Sequence, residues 1–545
     1  MSMDFWLFWQ RPQALFAVEV LLMVVSLAFT CRLAGAERAL KGLARHRLAP
    51  LAVGVFALVL RAAVLPAEPI PSPSTNDEFS YLLAADTFAH GRVTNPTHPM
   101  WEHFETFHED QLPTYASMYP PLQGLVLGIG QLVTGTAFAG VWLSVGVMCA
   151  ALCWALRGWF PPGWALLGAG IAAVRLGMFS YWGNSYWGGA LAATGGALVF
   201  GALPRLIRSS RPRDALLAAL GLVMLANTRP YDGFVFSAAV GLLALWNLGK
   251  LRLRAILPVV CVILAGSAAL MAYYNWRTFG SPTTLPYTVN RNTYAVAPVF
   301  LFQSPRPEPA YRHEEMRKFY TGWELSVFQG ARSWKGFMGN AIVKLSMAWS
   351  FYLGPVLTLP FLASLGTWKS RRTKILLFLA ASIGLATALV PFFAPHYIAS
   401  ATVVVYALIL QGMRSLSRGW PRLVRAVPLI CIAMVVVVLL LDAASIPQPS
   451  ELPMTWARNW PAPLGRESIA DEVRAKGGLQ LVIVHYGPGH DAGSEYVYNS
   501  ADIDASPIVW ARDMGPEKNA ELLRYFSSRK AWLLEVNPDP VLSPL

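Results

Sequence analysis

Apolar and polar stretches alternate along this chain with a long period. Twelve apolar runs, at 12–30, 49–65, 138–156, 163–179, 187–203, 215–227, 234–248, 255–274, 341–365, 375–395, 398–413 and 426–441, read as membrane-spanning helices. Several are shorter than the roughly 20 residues that a helix needs to cross a bilayer. A further run at 122–133 follows Tyr119-Pro120-Pro121 and carries three glycines. Its length fits a re-entrant or surface-lying helix better than a span.

The connections differ in kind. Basic side chains crowd the short ones: Arg38 to Arg47, Arg157, Arg205 to Arg213, Lys250 to Arg254, Lys369 to Lys374 and Arg414 to Arg425. With twelve spans all of these fall on one side, and the positive-inside rule places that side in the cytoplasm. Counting 122–133 as a thirteenth span would break the agreement. The long polar stretches then face outward, as do both termini. From Ala67 to Ser117 there are eight acidic residues and one basic residue. The 275–337 stretch is long and rich in Pro, Tyr and Arg, and loops of that length are usually functional.

Beyond 443 the pattern changes. A Pro-rich linker, 444–465, leads into a polar tail, 466–545, whose periodicity predicts a small α/β unit. The tail should have helices at 467–476 and 516–527 and strands at 479–486, 508–511 and 531–536. Leu522, Leu523 and Phe526 share one face of the second helix. A unit of that size is marginal alone and should rest on the membrane domain. The chain is therefore expected to be an α-helical polytopic membrane protein of about twelve transmembrane helices. Its transmembrane domain covers 1–443, with outward loops 67–137 and 275–337, followed by a small C-terminal α/β extracytoplasmic domain.

Composition agrees. Hydrophobic residues make up 55% of 545 residues and the mean hydropathy is +0.42, values of an integral membrane protein. The net charge of +13 could suggest nucleic acid, but the basic residues concentrate in the short loops, so topology accounts for it and no nucleic-acid partner is expected. The five cysteines lie in or beside apolar runs, so the outward parts cannot be stapled by disulfides, and no Cys/His zinc spacing occurs. The start of the chain lacks a basic region and a small-residue cleavage site, which favours a retained helix over a cleaved signal.

The candidate chemistry sits outward. Asp77-Glu78 lies just beyond the second span, and a carboxylate there can accept the proton of an attacking hydroxyl or amine. The competing reading is a loop acid, or a helix cap with Asn76 or Asp77 at the N-cap. Glu19, Arg61, Arg175 and Lys344 lie inside apolar runs, where ionisable groups face a polar cavity or a partner. Arg229 and Arg277 stand at outward helix ends. Arg229, Arg277 and Arg175 are the candidate ligands of a phosphate, whose oxygens match guanidinium donors; Lys344 is expected to snorkel to the headgroups. Tyr81, Tyr119, Asn184, Tyr231 and His396 are candidate cavity residues. The hairpin Trp182 to Gly189 suits either an interfacial belt or a surface for stacking sugar rings. His98, His103 and His108 accompany Glu102, Glu105 and Glu109 in the first outward loop, and their spacing does not match a helical metal pair. No metal ligand set and no cofactor is assigned, with a divalent metal left open. No Gly-rich nucleotide fingerprint occurs.

The outward Asp77-Glu78, the Tyr119-Pro120-Pro121-Leu122 element, Arg229-Pro230-Tyr231 and His396-Tyr397 together resemble the GT-C superfamily of polyprenyl-phosphate-sugar-dependent glycosyltransferases, which includes protein O-mannosyltransferases and lipid A aminoarabinose transferases. Ser185-Tyr186-Trp187-Gly188-Gly189 and the Tyr274 to Pro282 run look like those of the RgtA/B/C/D-like group. Tyr119 stands where a His often precedes Pro-Pro in the mannosyltransferases. The resemblance implies an inverting transferase in a bacterial plasma membrane, acting on its outer face. Asp77 would be the base, with a polyprenyl-phosphate-linked sugar as donor and a glycan, lipid or protein as acceptor. The rival reading is a secondary transporter with a midplane site. No repeat between the halves supports it, and the polar mass lies on one face.

Overall fold

The computed structural model describes residues 12–28, 34–443, 454–457, 465–491, 493–537 and 539–545. The linker prolines and Cys31 lie outside the described residues. The chain packs as two compact units, each drawn from three separate stretches: Met1–Pro71, Val141–Ser267 and Met338–Trp460 in the first, and Ser72–Gly140, Ala268–Phe337 and Pro461–Leu545 in the second.

The first unit is helical. Each expected apolar run coincides with a helix, and several begin with Pro at the first helical positions, as at Pro162, Pro212 and Pro230, where its missing N–H costs nothing. Among the described residues, five helices are long and apolar enough to cross a membrane, and up to seven if each sharply bent pair counts as one span. The expected count of twelve spans is not confirmed: length and composition establish fewer. The run at 341–365 is two helices, Trp334–Tyr352 and Gly354–Leu365, bent by 104°. Gly354 makes this corner with φ +57°, and a Cβ there would lie 2.7 Å from Nη2 of Arg175.

The buried charges of this unit are matched by protein groups. Arg175 is fully buried; its Nη1 donates to Glu19 Oε1 at 2.7 Å and its Nη2 to the Leu353 carbonyl at 2.8 Å. The other Glu19 oxygen accepts from the Val356 N–H at 3.1 Å, and the guanidinium lies 4.0 Å over the Trp456 ring. Arg61 donates to the carbonyls of Glu68 and Gly183 at 3.0 and 3.3 Å. Lys344 does not snorkel: it is buried, and its ammonium donates to the carbonyls of Thr387, in the last turn of helix Arg371–Ala388, and Val390, just past it, where the helix dipole favours a cation.

The second unit gathers the first outward loop, the 268–337 stretch and the tail. In the loop, helix Asn76–Ala89 is followed by three short antiparallel strands, β1 (Asn95–Pro96), β2 (Glu109–Asp110) and β3 (Thr114–Ser117), in the order β1-β3-β2. Helix Pro121–Thr134 packs closely on helix Asn76–Ala89. A Cβ at Gly124 would lie 2.4 Å from the Ala84 Cβ, and one at Gly128 would lie 2.7 Å from the Ala85 carbonyl oxygen. Its other face exposes Leu125, Ile129, Leu132 and Val133 at helical spacing, as expected for a surface-lying helix.

The tail forms β4 (Gln480–Tyr486), β5 (Ile508–Arg512), β6 (Lys530–Val536) and β7 (Pro540–Pro544), ordered β5-β4-β6-β7. The first three run parallel; β7 is antiparallel to β6 and was not foreseen. Central β4 is buried on both faces, as its apolar run requires. Val482 and Val484 face Ile469, Val473 and Trp510. Leu481 and Ile483 face Leu522 and Phe526 together with Leu83, Phe104 and Tyr115 from the first loop. Within its unit the tail thus buries one sheet face against the loop that carries Asp77.

Candidate functional site

Helix Asn76–Ala89 starts at Thr75, which adopts extended backbone and accepts the Glu78 N–H. Glu78 returns the bond. Its Oε2 accepts from the Ser74 and Thr75 N–H groups at 3.0 and 3.1 Å and from both hydroxyls. This reciprocal capping box satisfies donors that the helix cannot. Glu78 is buried and committed to the cap, whereas Asp77, one residue earlier, is 19% exposed and turns the other way.

The helix is held against the tail from below. The Phe79 ring stacks on Tyr498 at 4.1 Å, the Tyr498 hydroxyl donates to Asn76 Oδ1 at 2.9 Å, and Asp86 Oδ2 accepts the Ala501 N–H at 2.8 Å. Arg466 covers Phe79 and Trp510 and donates to the Tyr496 and Tyr498 carbonyls; burial lowers its pKa to about 10. Asn76, Glu78 and Phe79 of the first turn are thereby fixed, and the direction of Asp77 follows.

A hydroxyl donor and an imidazole nitrogen converge on one oxygen of Asp77. The Tyr119 hydroxyl donates to Oδ1, and His108 Nδ1 stands 3.4 Å from the same atom. Tyr119 and His108 also meet, at 3.3 Å between hydroxyl and Nδ1. Among the described residues no hydrogen-bond donor reaches Oδ2. Tyr119 stacks on Tyr81 at 4.5 Å, and its backbone N–H donates to Ser117 Oγ at 3.2 Å. Thus Tyr81 and Tyr119, expected as cavity residues, stand beside Asp77. His108 was not singled out with it. The sequence offered one signal, a histidine in the same acidic loop, but its spacing was weighed only against metal pairs.

The remaining candidates are placed elsewhere. Arg277 is exposed in the second unit, 3.1 Å from the Tyr273 hydroxyl. In the first unit, Arg229 is 21% exposed, pairs with buried Asp232 at 3.0 Å and stacks 4.0 Å over Tyr397. Tyr231 donates to the Ala386 carbonyl at 3.0 Å. His396 is buried with Nδ1 2.9 Å from the Tyr181 hydroxyl, beside the Trp187 ring. Asn184 is buried and ties the Trp182 to Gly189 hairpin to the Met178 and Ser180 carbonyls at 2.7 and 3.0 Å. Arg175 has no exposed surface and its Nη donors are taken by Glu19 and Leu353, so the expected phosphate role does not fit its surroundings.

The three loop histidines are separated. His98 faces Asp504 at 3.2 Å and His103 Nδ1 faces the Arg512 carbonyl at 2.9 Å. Burial lowers the pKa of both. His313 is lowered to about 3, first by burial and then by nearby Arg512, while burial raises Glu105 beside it. These groups are the polar core that joins the loop, the 268–337 stretch and the tail. Among the described residues, no group of three or more His, Cys, Asp or Glu is placed to hold a metal.

No protein-family model and no curated protein matches the chain. Solved structures resemble it. One is ArnT from Cupriavidus metallidurans in the apo state, at 13% identity and a TM-score of 0.49, covering 88% of this chain and 92% of that one. Another is the Archaeoglobus fulgidus oligosaccharyltransferase in the apo form, at 11% identity and 0.45, covering 81% and 62%. A third is AglB from the same organism in complex with an inhibitory peptide and a dolichol-phosphate, at 11% and 0.43, covering 89% and 69%.

Proposed function

We propose that the protein is an integral membrane glycosyltransferase that moves a sugar from a polyprenyl-phosphate donor to an acceptor hydroxyl or amine, with Asp77 as general base. The observation that carries this reading is the asymmetry of the Asp77 carboxylate: Oδ1 is anchored by Tyr119 and faced by His108, while Oδ2 is left to accept a proton. The acceptor's proton passes to Oδ2 as its oxygen or nitrogen attacks the anomeric carbon. The bond from that carbon to the phosphate oxygen breaks, and its electron pair leaves with the lipid phosphate, inverting the centre. Cations must meet the charge that develops on the leaving phosphate. Arg229 and Arg277 keep that role in the proposal and Arg175 does not. Glu78 caps the helix that carries Asp77. The grouping of the outward loops and the tail into one unit, with the basic loops in the other, supports an extracytoplasmic site in a bacterial plasma membrane.

Mass spectrometry of envelope glycans and lipids, with and without the gene, tests the function. One sugar should be missing from one acceptor in the deletion strain; identical profiles would overturn the reading. Orientation is tested separately by cysteines placed at exposed Ser72 and Glu517 in a background without native cysteines. Both should react with an impermeant thiol reagent in intact spheroplasts. Reaction of either only after lysis would reverse the topology.

A further inference from the structure

The backbone at His108 takes φ +61°, a left-handed conformation uncommon for a residue with a side chain. Neighbours hold it there. The His108 carbonyl accepts from Ser80 Oγ at 2.7 Å and from the Met118 N–H at 3.1 Å, and Ser80 Oγ meets Ser117 Oγ at 2.7 Å. Ser80 lies one turn beyond Asp77 on the same helix, so this clamp ties the histidine backbone to the helix that carries the carboxylate. Such outliers persist only where the surroundings over-determine them, and they concentrate at functional sites.

The hydrogen bonding favours one tautomer, because His108 Nδ1 meets the Tyr119 hydroxyl at 3.3 Å. Tyr119 has one hydroxyl proton, and Asp77 Oδ1 takes it. Both oxygens facing His108 Nδ1 are then acceptors, so Nδ1 carries hydrogen. Three elements face the ring: the capped helix through Asp77, the turn before Pro120 through Tyr119, and the Lys318–Glu324 segment through uncharged Phe319, whose ring centroid is 6.1 Å away.

We infer that His108 is a positioning residue for Asp77: its Nδ1–H, aimed by the left-handed backbone and the Ser80 clamp, holds Oδ1 so that Oδ2 presents its lone pair to the acceptor. Tyr119 supplies the second donor. The inference rests on the reading of Asp77 as base, and it adds the residue that orients that base.

Glycine adopts φ +61° without strain, so His108→Gly removes the imidazole and leaves the backbone at ease. Asparagine also tolerates this conformation, and its amide nitrogen can occupy the place of Nδ1. The full-length variants are assayed with a panel of polyprenyl-phosphate hexoses, hexosamines and pentoses, using an envelope extract as acceptor. His108→Gly should lower kcat by about 10- to 100-fold, the scale of a lost hydrogen bond to a charged group, with the donor KM unchanged. Added imidazole should restore part of the loss, and His108→Asn should retain most of the turnover. Wild-type turnover in His108→Gly, no response to imidazole, or an asparagine variant as poor as the glycine one would each overturn the inference. Nitrogen-15 NMR of the wild-type imidazole gives a readout independent of substrate: hydrogen on Nδ1 supports the assignment, and hydrogen on Nε2 alone overturns it. An inactive Asp77→Asn beside a fully active His108→Gly would sink this inference while sparing the base; a fully active Asp77→Asn would remove the base itself.

Discussion

Asp77→Asn is expected to lower turnover on the order of 10²–10⁴-fold, the usual consequence of removing a general base, while the donor still binds. Asparagine matches the size of aspartate. Its carbonyl oxygen can keep the place of Oδ1, accepting from Tyr119 and facing His108, so the pocket wall need not shift. What changes is the other atom, where an amide with no lone pair to give replaces Oδ2. The neighbouring Glu78→Gln supplies the contrast. Glu78 Oε2 collects hydrogen bonds from Ser74 and Thr75, so its loss acts on the helix start and should appear as reduced stability, about 0.5–2 kcal/mol for a disturbed cap. Single-turnover transfer and thermal unfolding, measured on both purified variants, separate the two roles. Wild-type transfer by Asp77→Asn would remove Asp77 from the mechanism.

Sequence pattern exposed what depends on local periodicity. The tail helices and β4, β5 and β6 lie within a few residues of their expected limits, because apolar alternation and turn residues bracket them. β7 carries Pro at both ends, which reads as a non-strand, and β1 and β2 are two residues long, too short for any alternation to show. The carboxylate pair was legible as a pair, but the reciprocal cap that holds Glu78 was not. That depends on Thr75 being the cap, one residue before the positions weighed for it. His108 escaped because its partner is reached through a strand turn and a left-handed residue, neither of which a spacing rule tests. The second unit as a whole was hidden for a similar reason: its cores join residues hundreds of positions apart, such as Leu83 and Ile483, and only contacts reveal such pairings.

Arg175 was legible as an ion inside an apolar run, but its partner was not. Its counter-charge, Glu19, lies 156 positions earlier on another helix, and both side chains have no exposed surface. Arg175→Ala should therefore destabilise the protein by about 3–5 kcal/mol, because it strands a carboxylate where no water can solvate it. Loss of activity in that variant would say nothing about phosphate binding. The informative variant removes both charges. Glu19→Leu with Arg175→Met keeps much of the volume and leaves no buried ion, and such replacements are often neutral or stabilising. The double variant should recover most of the lost thermal stability and bind the polyprenyl-phosphate sugar panel as wild type does. If it folds with wild-type stability yet fails to bind any donor, Arg175 belongs to the phosphate site after all. Wild-type binding would leave Arg175 and Glu19 as a structural lock, with Gly354 at the helix corner conserving the space that the pair occupies.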